Sequence, residues 1–297
     1  MNNLIGTYQK LLDLQTANFS LIDHEEAMVA TVYKITQPNG DQFVLKISGR
    51  SNDFLREVYF LNHFADIIPV PKIIQVVEPT KEIPGAILME YLSGILLKTT
   101  GLTESLANEL GRCLALIHTN RLPGYGDPIE GDLNIDPRVY FTFKLEEGLK
   151  ECKDHLPVGL IKQCQSYYEA NIDRLRSVDG PCIVHRDFRP GNLIVHDGKL
   201  QGIIDWAGAR ASFAEEDFCS IEHGEWLNNP HHQKAFLFGY GSIRSVPDYK
   251  SLIPFLRLNK AIATIGFTIK RGTWKTSSSR LYQNNRQFLD TFFKENL

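Results

Sequence analysis

Asp187, Asn192 and Asp205 carry oxygen donors at spacings of five and thirteen residues within His185-Arg186-Asp187-Phe188-Arg189-Pro190-Gly191-Asn192 and the later Ile204-Asp205-Trp206. Magnesium takes donors of this kind, a carboxylate and an amide with water. Two strand-like runs, Leu193 to Val195 and Leu200 to Ile204, lie between Asn192 and Asp205, joined by His196-Asp197-Gly198-Lys199. A hairpin of that length returns the chain to its start, so Asn192 and Asp205 are expected side by side as a shared metal site. Asp187 lies one tight Pro190-Gly191 loop upstream, close enough to address a substrate hydroxyl. A metal pair beside an orienting carboxylate is the apparatus of phosphoryl transfer, which also needs a cation on the remaining phosphates. Lys46 is the candidate cation, because it sits mid-strand in Phe43-Val44-Leu45-Lys46-Ile47, where a charge is costly unless paired. Glu57 opens the next predicted helix and is its candidate partner.

The elements that must hold these residues are legible in outline. The first ninety residues read mainly as strands. Val29 to Ile35 alternates, Pro38-Asn39-Gly40-Asp41 follows, and Phe43 to Ile47 is β-rich. Asn-Gly between two such runs signals a hairpin, since both residues tolerate positive φ. Asn52-Asp53 is expected to cap a helix that runs to about Phe64, with Phe54, Leu55, Val58, Leu61 and Phe64 at helical spacing. Strands are expected at Ile73 to Val77 and Ala86 to Tyr91. After Ser93-Gly94 helices dominate, beginning with one capped by Thr103 whose apolar face is Leu106, Leu110, Cys113, Leu114 and Ile117. The fold class expected is therefore α+β, with a small β-rich lobe over residues 1–92 and a larger helical lobe over residues 93–297.

Composition narrows the function. With 43% hydrophobic and 23% charged residues and a net charge of -3, the chain is ordinary for a soluble protein and has no basic bias towards nucleic acid. No signal peptide is read at the N-terminus, and the apolar stretches Ala86 to Leu97 and Ala261 to Phe267 are too short or interrupted to span a bilayer. The five cysteines form no C-x-x-C pair and read as buried reduced thiols. Together these point to the cytoplasm and to neither membrane nor nucleic-acid partners.

HRDFRPGNLIV and GIIDWAGA resemble the catalytic and metal loops of the protein-kinase-like superfamily, and most of all its aminoglycoside phosphotransferase and choline kinase branch. The resemblance implies a two-lobed kinase-like fold, with residues 1–92 as the nucleotide-binding lobe and residues 93–297 as the catalytic and acceptor-binding lobe. It implies that Asp187 is the catalytic aspartate, that Asn192 and Asp205 hold Mg2+, and that Lys46 and Glu57 form the phosphate-holding pair. Leu88 to Gly94 resembles the inter-lobe hinge, where the backbone of Glu90 and Leu92 would meet the adenine of ATP (or the base of GTP). The acceptor it implies first is an aminoglycoside-like antibiotic. The alternatives are a choline, ethanolamine, homoserine or fructosamine-type metabolite, or a nucleotide-binding module without transfer, against which the complete residue set argues. The sequence departs from the pattern in places. The turn Asp23 to Met28, expected over the phosphates, has no glycine, and Asp205-Trp206-Ala207 replaces DFG. No A-P-E follows, which argues against a protein kinase. Arg186 replaces the glycine of the branch's usual HGD and looks protein-kinase-like instead.

The acceptor side is less defined. Asp217 could bind substrate or brace the catalytic loop. Glu222 and Glu225, three apart on one predicted helix beside Trp226, could line an acidic, aromatic pocket or be a solvated face. His185 reads as a loop support rather than a chemical group.

Overall fold

The computed structural model describes residues 2–22, 30–224, 226–275 and 279–295. The chain opens with α1 (Asn2–Leu11) and β1 (Asn18–Leu21). Asn39-Gly40 then turns β2 (Ala30–Thr36) into β3 (Gln42–Ser48), as its chemistry predicts: Gly40 takes φ +92° and Asn39 Oδ1 accepts the Asp41 N–H at 3.0 Å. α2 (Ser51–Phe64), β4 (Ile73–Val77) and β5 (Gly85–Glu90) complete an antiparallel sheet of order β1-β2-β3-β5-β4. α2 buries Phe54, Phe60, Leu61 and Phe64. It starts at Ser51 with no side-chain cap, so Asn52 and Asp53 fall inside its first turn. There Asp53 suits the positive end of the helix dipole and pairs with Arg56 at 2.6 Å.

α1 was not anticipated. Its ten residues would be marginal alone, and tertiary packing holds it. Tyr8 is fully buried beside Tyr33, Ile35 and Leu45 of the sheet, and its hydroxyl donates to the Pro84 carbonyl at 2.7 Å.

The remainder is mainly helical. β6 (Ile95–Leu96) leads to α3 (Glu104–Thr119), whose N-cap Thr103 accepts the Leu106 N–H as expected. β7 (Tyr125–Asp127), β8 (Asp132–Asn134), α4 (Pro137–Cys152), α5 (Val158–Asn171) and β9 (Cys182–Val184) follow. Next come β10 (Leu193–His196), β11 (Lys199–Ile203), β12 (Arg210–Ser212), α6 (Glu215–Gly224), α7 (Pro230–Gly241), α8 (Ile253–Lys270) and α9 (Ser279–Glu295). β6 pairs with β10, so the first strand after the hinge region joins the hairpin expected to carry the metal site. One core fills the space between α2, α3, α7 and the β10–β11 hairpin, and a second packs α4, α5, α8 and α9.

The stretch Lys250–Lys270 is long and apolar enough to cross a bilayer by length and composition, more than the sequence reading allowed. It is instead largely a core helix: Phe255, Leu256, Leu258, Ala261, Ile262 and Ile265 are buried among α4, α5 and α9. All five cysteines are unpaired and buried. The α+β class and the order of a sheet-rich part before a helical one are as expected.

Candidate active site

The β10–β11 hairpin closes as its turn residues require. Asp197 and Gly198 take φ +49° and +71°, Leu193 pairs with Ile203, and the Ile204 N–H reaches the Asn192 carbonyl at 3.0 Å. Asn192 and Asp205 thus stand at one end of the hairpin. The Asn192 amide nitrogen donates to the Asp187 carbonyl (2.9 Å) and to Asp187 Oδ2 (2.7 Å), which ties the loop bearing Asp187 to that end. Asn192 Oδ1 and Asp205 Oδ2 have no hydrogen-bond partner among the described residues. An amide and a carboxylate oxygen left without protein partners fit magnesium, whose other donors would be phosphate and water oxygens. No group of three or more His, Cys, Asp or Glu side chains suited to a metal occurs among the described residues, so the fit is to this two-oxygen arrangement.

Lys46 Nζ lies 2.5 Å from Glu57 Oε2 and 2.8 Å from Asp205 Oδ1. One ammonium therefore bridges strand β3, helix α2 and the hairpin end. Burial opposes its charge, but Glu57 and Asp205 outweigh it and hold its pKa above the ordinary lysine value. Burial likewise opposes ionisation of Asp205, and Lys46 overrides it, so this carboxyl stays below its usual range. Asp205 itself sits at φ +65°. Trp206, fully buried, stacks on Phe64 (4.8 Å) and donates its indole N–H to the Ile203 carbonyl. Arg56 of α2 adds a bond to the Ala207 carbonyl at 2.8 Å. The helix that carries Glu57 is thus fastened to the segment that carries Asp205.

The loop bearing Asp187 is held from behind. His185 is fully buried, its Nε2 meets the Ile204 carbonyl (3.2 Å), and its Nδ1 faces the Asp187 N–H (3.3 Å). Burial lowers its pKa, so it is a neutral strut carrying its proton on Nε2. Asp217 is also fully buried. It accepts the backbone N–H groups of His185 (2.8 Å) and Arg186 (2.5 Å) and the ring N–H of His118 (3.1 Å). Arg186 adopts φ +67°, which explains why its branch favours glycine here; its side chain binds Glu216 at 2.5 Å. Asp187 keeps 42% of its side chain exposed, with Oδ1 accepting from Arg189 at 2.9 Å. Arg189 lay in the quoted motif, and no role was read for it.

The hinge backbone is partly committed. The Glu90 N–H binds the Lys72 carbonyl (2.9 Å), leaving the Leu92 N–H as the one of the two without a partner among the described residues. Leu92 packs over Gly202, where a Cβ would approach within 2.2 Å of its side chain, so the hinge rests directly on the hairpin.

The acceptor-side residues have these surroundings. Asp217 has both oxygens taken by N–H groups, which favours the bracing alternative of its two readings. Trp226 is 5% exposed and packs on Phe188 and Phe236 because its indole serves the core. Glu222 accepts the Tyr249 hydroxyl (3.3 Å) in a crevice with Phe218, Ile221 and Phe236 that includes no catalytic-loop residue. Glu225, like the turn Asp23 to Met28, lies outside the described residues.

The model of the phosphotransferase enzyme family matches residues 25–246. The chain superposes on aminoglycoside phosphotransferase APH(4)-Ia with a TM-score of 0.73 at 13% identity, covering 100% of both chains. A ternary complex of a thermostable mutant of that enzyme with ADP and hygromycin B gives 0.69 at 14% identity, covering 97% of this chain and 98% of that one. Choline kinase LicA from Streptococcus pneumoniae gives 0.70 at 18%, covering 99% and 100%. At these identities the likenesses show a shared kinase-like fold. Among curated proteins, human serine/threonine-protein kinase STK11 is 35% identical over 81 residues, 26% of this chain and 19% of that kinase.

Proposed function

The chain belongs to the phosphotransferase enzyme family and is a small-molecule phosphotransferase with a hydroxyl acceptor; on that premise we propose that it moves the γ-phosphoryl group of ATP, with Asp187 orienting and deprotonating the acceptor. The observation that carries this reading is the single network in which Lys46 binds both Glu57 and Asp205 while Asn192 binds Asp187. An ammonium held by two carboxylates, two oxygens without protein partners and an exposed carboxylate supply the kinds of group that in-line transfer needs, which supports the reading.

Each residue has a task that its surroundings support. Lys46, held charged by two carboxylates, grips the non-transferred phosphates. Glu57 fixes Lys46 from α2. Asn192 and Asp205 would hold magnesium, which supplies neutralisation of the phosphate oxygens. Asp187 takes the proton of the attacking hydroxyl, and Arg189 beside it offsets charge that develops as the bond forms. The Leu92 N–H and the Glu90 carbonyl would meet the base of ATP or GTP. The protein is proposed to work in the cytoplasm.

The acceptor follows from charge. An aminoglycoside is polycationic and calls for carboxylates facing Asp187. Asp217 is sealed inside the protein and Glu222 lies in a separate crevice. We therefore place a metabolite hydroxyl ahead of an antibiotic, although the fold is shared with an enzyme solved with hygromycin B. The test is magnesium-dependent ADP release with panels of sugars, hydroxy acids, amino alcohols and aminoglycosides. Acceptor-stimulated release supports the reading; tight ATP binding with no transfer to any member would favour a binding module instead.

A further inference from the structure

Two neighbouring cations on α8 have no acidic partner among the described residues, and one of them, Lys260, reaches the loop bearing Asp187. Arg257 and Lys260 are three residues apart and share a helix face. Arg257 is 8% exposed; its guanidinium donates to Asn285 Oδ1 (2.9 Å) and lies over the Phe288 ring (4.1 Å). Lys260 donates to Ser220 Oγ (2.9 Å), and that hydroxyl reaches the Arg186 carbonyl (3.3 Å). A single hydroxyl thus separates Lys260 from the backbone of the residue preceding Asp187.

No Asp or Glu among the described residues forms an ion pair with either cation. The described acids that act on Lys260, Asp187 and Glu216, are committed elsewhere, as is Asp217. Glu216 holds Arg186, Asp217 holds His118 and the loop backbone, and Asp187 binds Arg189 and Asn192. The consequences register on the neighbours. Burial pushes Arg257 down to about 10, and it lowers Lys260 as well. His223, across from them on α6, is pushed down to about 4 by burial and then by Arg257 and Lys260.

Buried cations met only by neutral groups are costly, and two of them in one place carry charge that an anionic ligand can meet. The nucleotide has its own cation in Lys46, which is held by Glu57 and Asp205 and makes no contact with either α8 cation. We propose that Arg257 and Lys260 form the anion-binding half of the acceptor site, so that the hydroxyl compound phosphorylated carries a carboxylate or phosphate group. The inference rests on the reading of Asp187 as the residue that receives the acceptor. A charge-assisted contact to the acceptor's anionic end would fix its hydroxyl against Asp187, and the same charge would repel polycations.

The experiment titrates glycolate, inorganic phosphate and ethanolamine onto the protein saturated with Mg2+ and AMP-PNP, which fills the γ-phosphate position. Wild type is expected to bind glycolate or phosphate, and the preference between them identifies the group. Lys260→Met should weaken that binding roughly thirty-fold, as truncating one partner of a buried charge pair does. Lys260→Arg, which keeps the charge and guards against misfolding as an explanation, should retain binding, and both variants should hold AMP-PNP as wild type does. Absence of anion binding, equal binding by Lys260→Met, or preference for ethanolamine would overturn the proposal. Failure of wild type to bind AMP-PNP would strike the nucleotide reading instead, and the same anion titration without nucleotide would still decide this one.

Discussion

Asp217→Asn should damage both stability and turnover while sparing nucleotide affinity. Asp217 has 0% exposure, and its two oxygens take N–H groups from Arg186 (2.5 Å), His185 (2.8 Å) and His118 (3.1 Å). An amide replaces one acceptor with a donor, so at least one backbone N–H faces another N–H. A hydrogen bond to an ionised acceptor is worth about 1.5–3 kcal/mol, and a buried donor left unsatisfied costs about 1–3 more. Stability should therefore fall by roughly 3 kcal/mol, or about 6–12 °C in Tm. The same bond holds Arg186 at φ +67°, a conformation that costs a non-glycine residue about 1–2 kcal/mol. Released, Arg186 would relax, and Asp187 would move with it. kcat should drop about ten-fold or more, since an ångström of misplacement is enough for that. AMP-PNP affinity should hold, because Lys46 and its partners do not touch Asp217. The assays are urea unfolding and steady-state ADP release. A stability loss under about 1 kcal/mol with unchanged kcat would refute the bracing role, because it would mean that water or a neighbour satisfies those donors.

Lys46→Met should destabilise the protein by about 3 kcal/mol, because Glu57 and Asp205 lose their common cation, and it should weaken AMP-PNP binding measured by titration. Glu215 is 3% exposed, and burial pushes its carboxyl up to about 7. The native state therefore keeps a proton that the unfolded chain gives up near its ordinary value, so Glu215 costs stability as pH rises from that value through 7. Glu215→Gln should be near neutral at pH ~5 and stabilising by up to about 3 kcal/mol at pH ~8, read by urea unfolding at both pH values. Thr103→Ala removes the cap on α3 and should cost about 1 kcal/mol with no change in kcat.

The chemistry was legible where it depended on local chain geometry. The spacing of Asn192 and Asp205 meant a hairpin, and Asp197-Gly198 supplied the turn that made one. Lys46 in an apolar strand demanded a partner, and the partners are Glu57 and also Asp205, 159 residues away in sequence. That second link has no local signal. The bracing role of Asp217 depends on His118 from α3, a contact 99 residues distant, so a single carboxylate at a helix start could be read either way. Glu222 and Trp226 were left between a pocket and a plain surface because helical spacing says which residues share a face but not what that face meets. α1 was missed for the opposite reason: ten residues carry a weak intrinsic preference, and the sheet supplies the rest. Arg257 and Lys260 lay in a run that reads as an apolar core helix, and that they meet no acid among the described residues shows only once α6 and α9 are packed against it.

The most direct test of the account is single-turnover transfer from γ-labelled ATP to an acceptor that stimulates ADP release, comparing wild type with Asp187→Asn in Mg2+. The account predicts that the variant binds AMP-PNP as wild type does and loses transfer by at least ~10²-fold, the typical contribution of a positioned general base. Transfer by Asp187→Asn at the wild-type rate would contradict it.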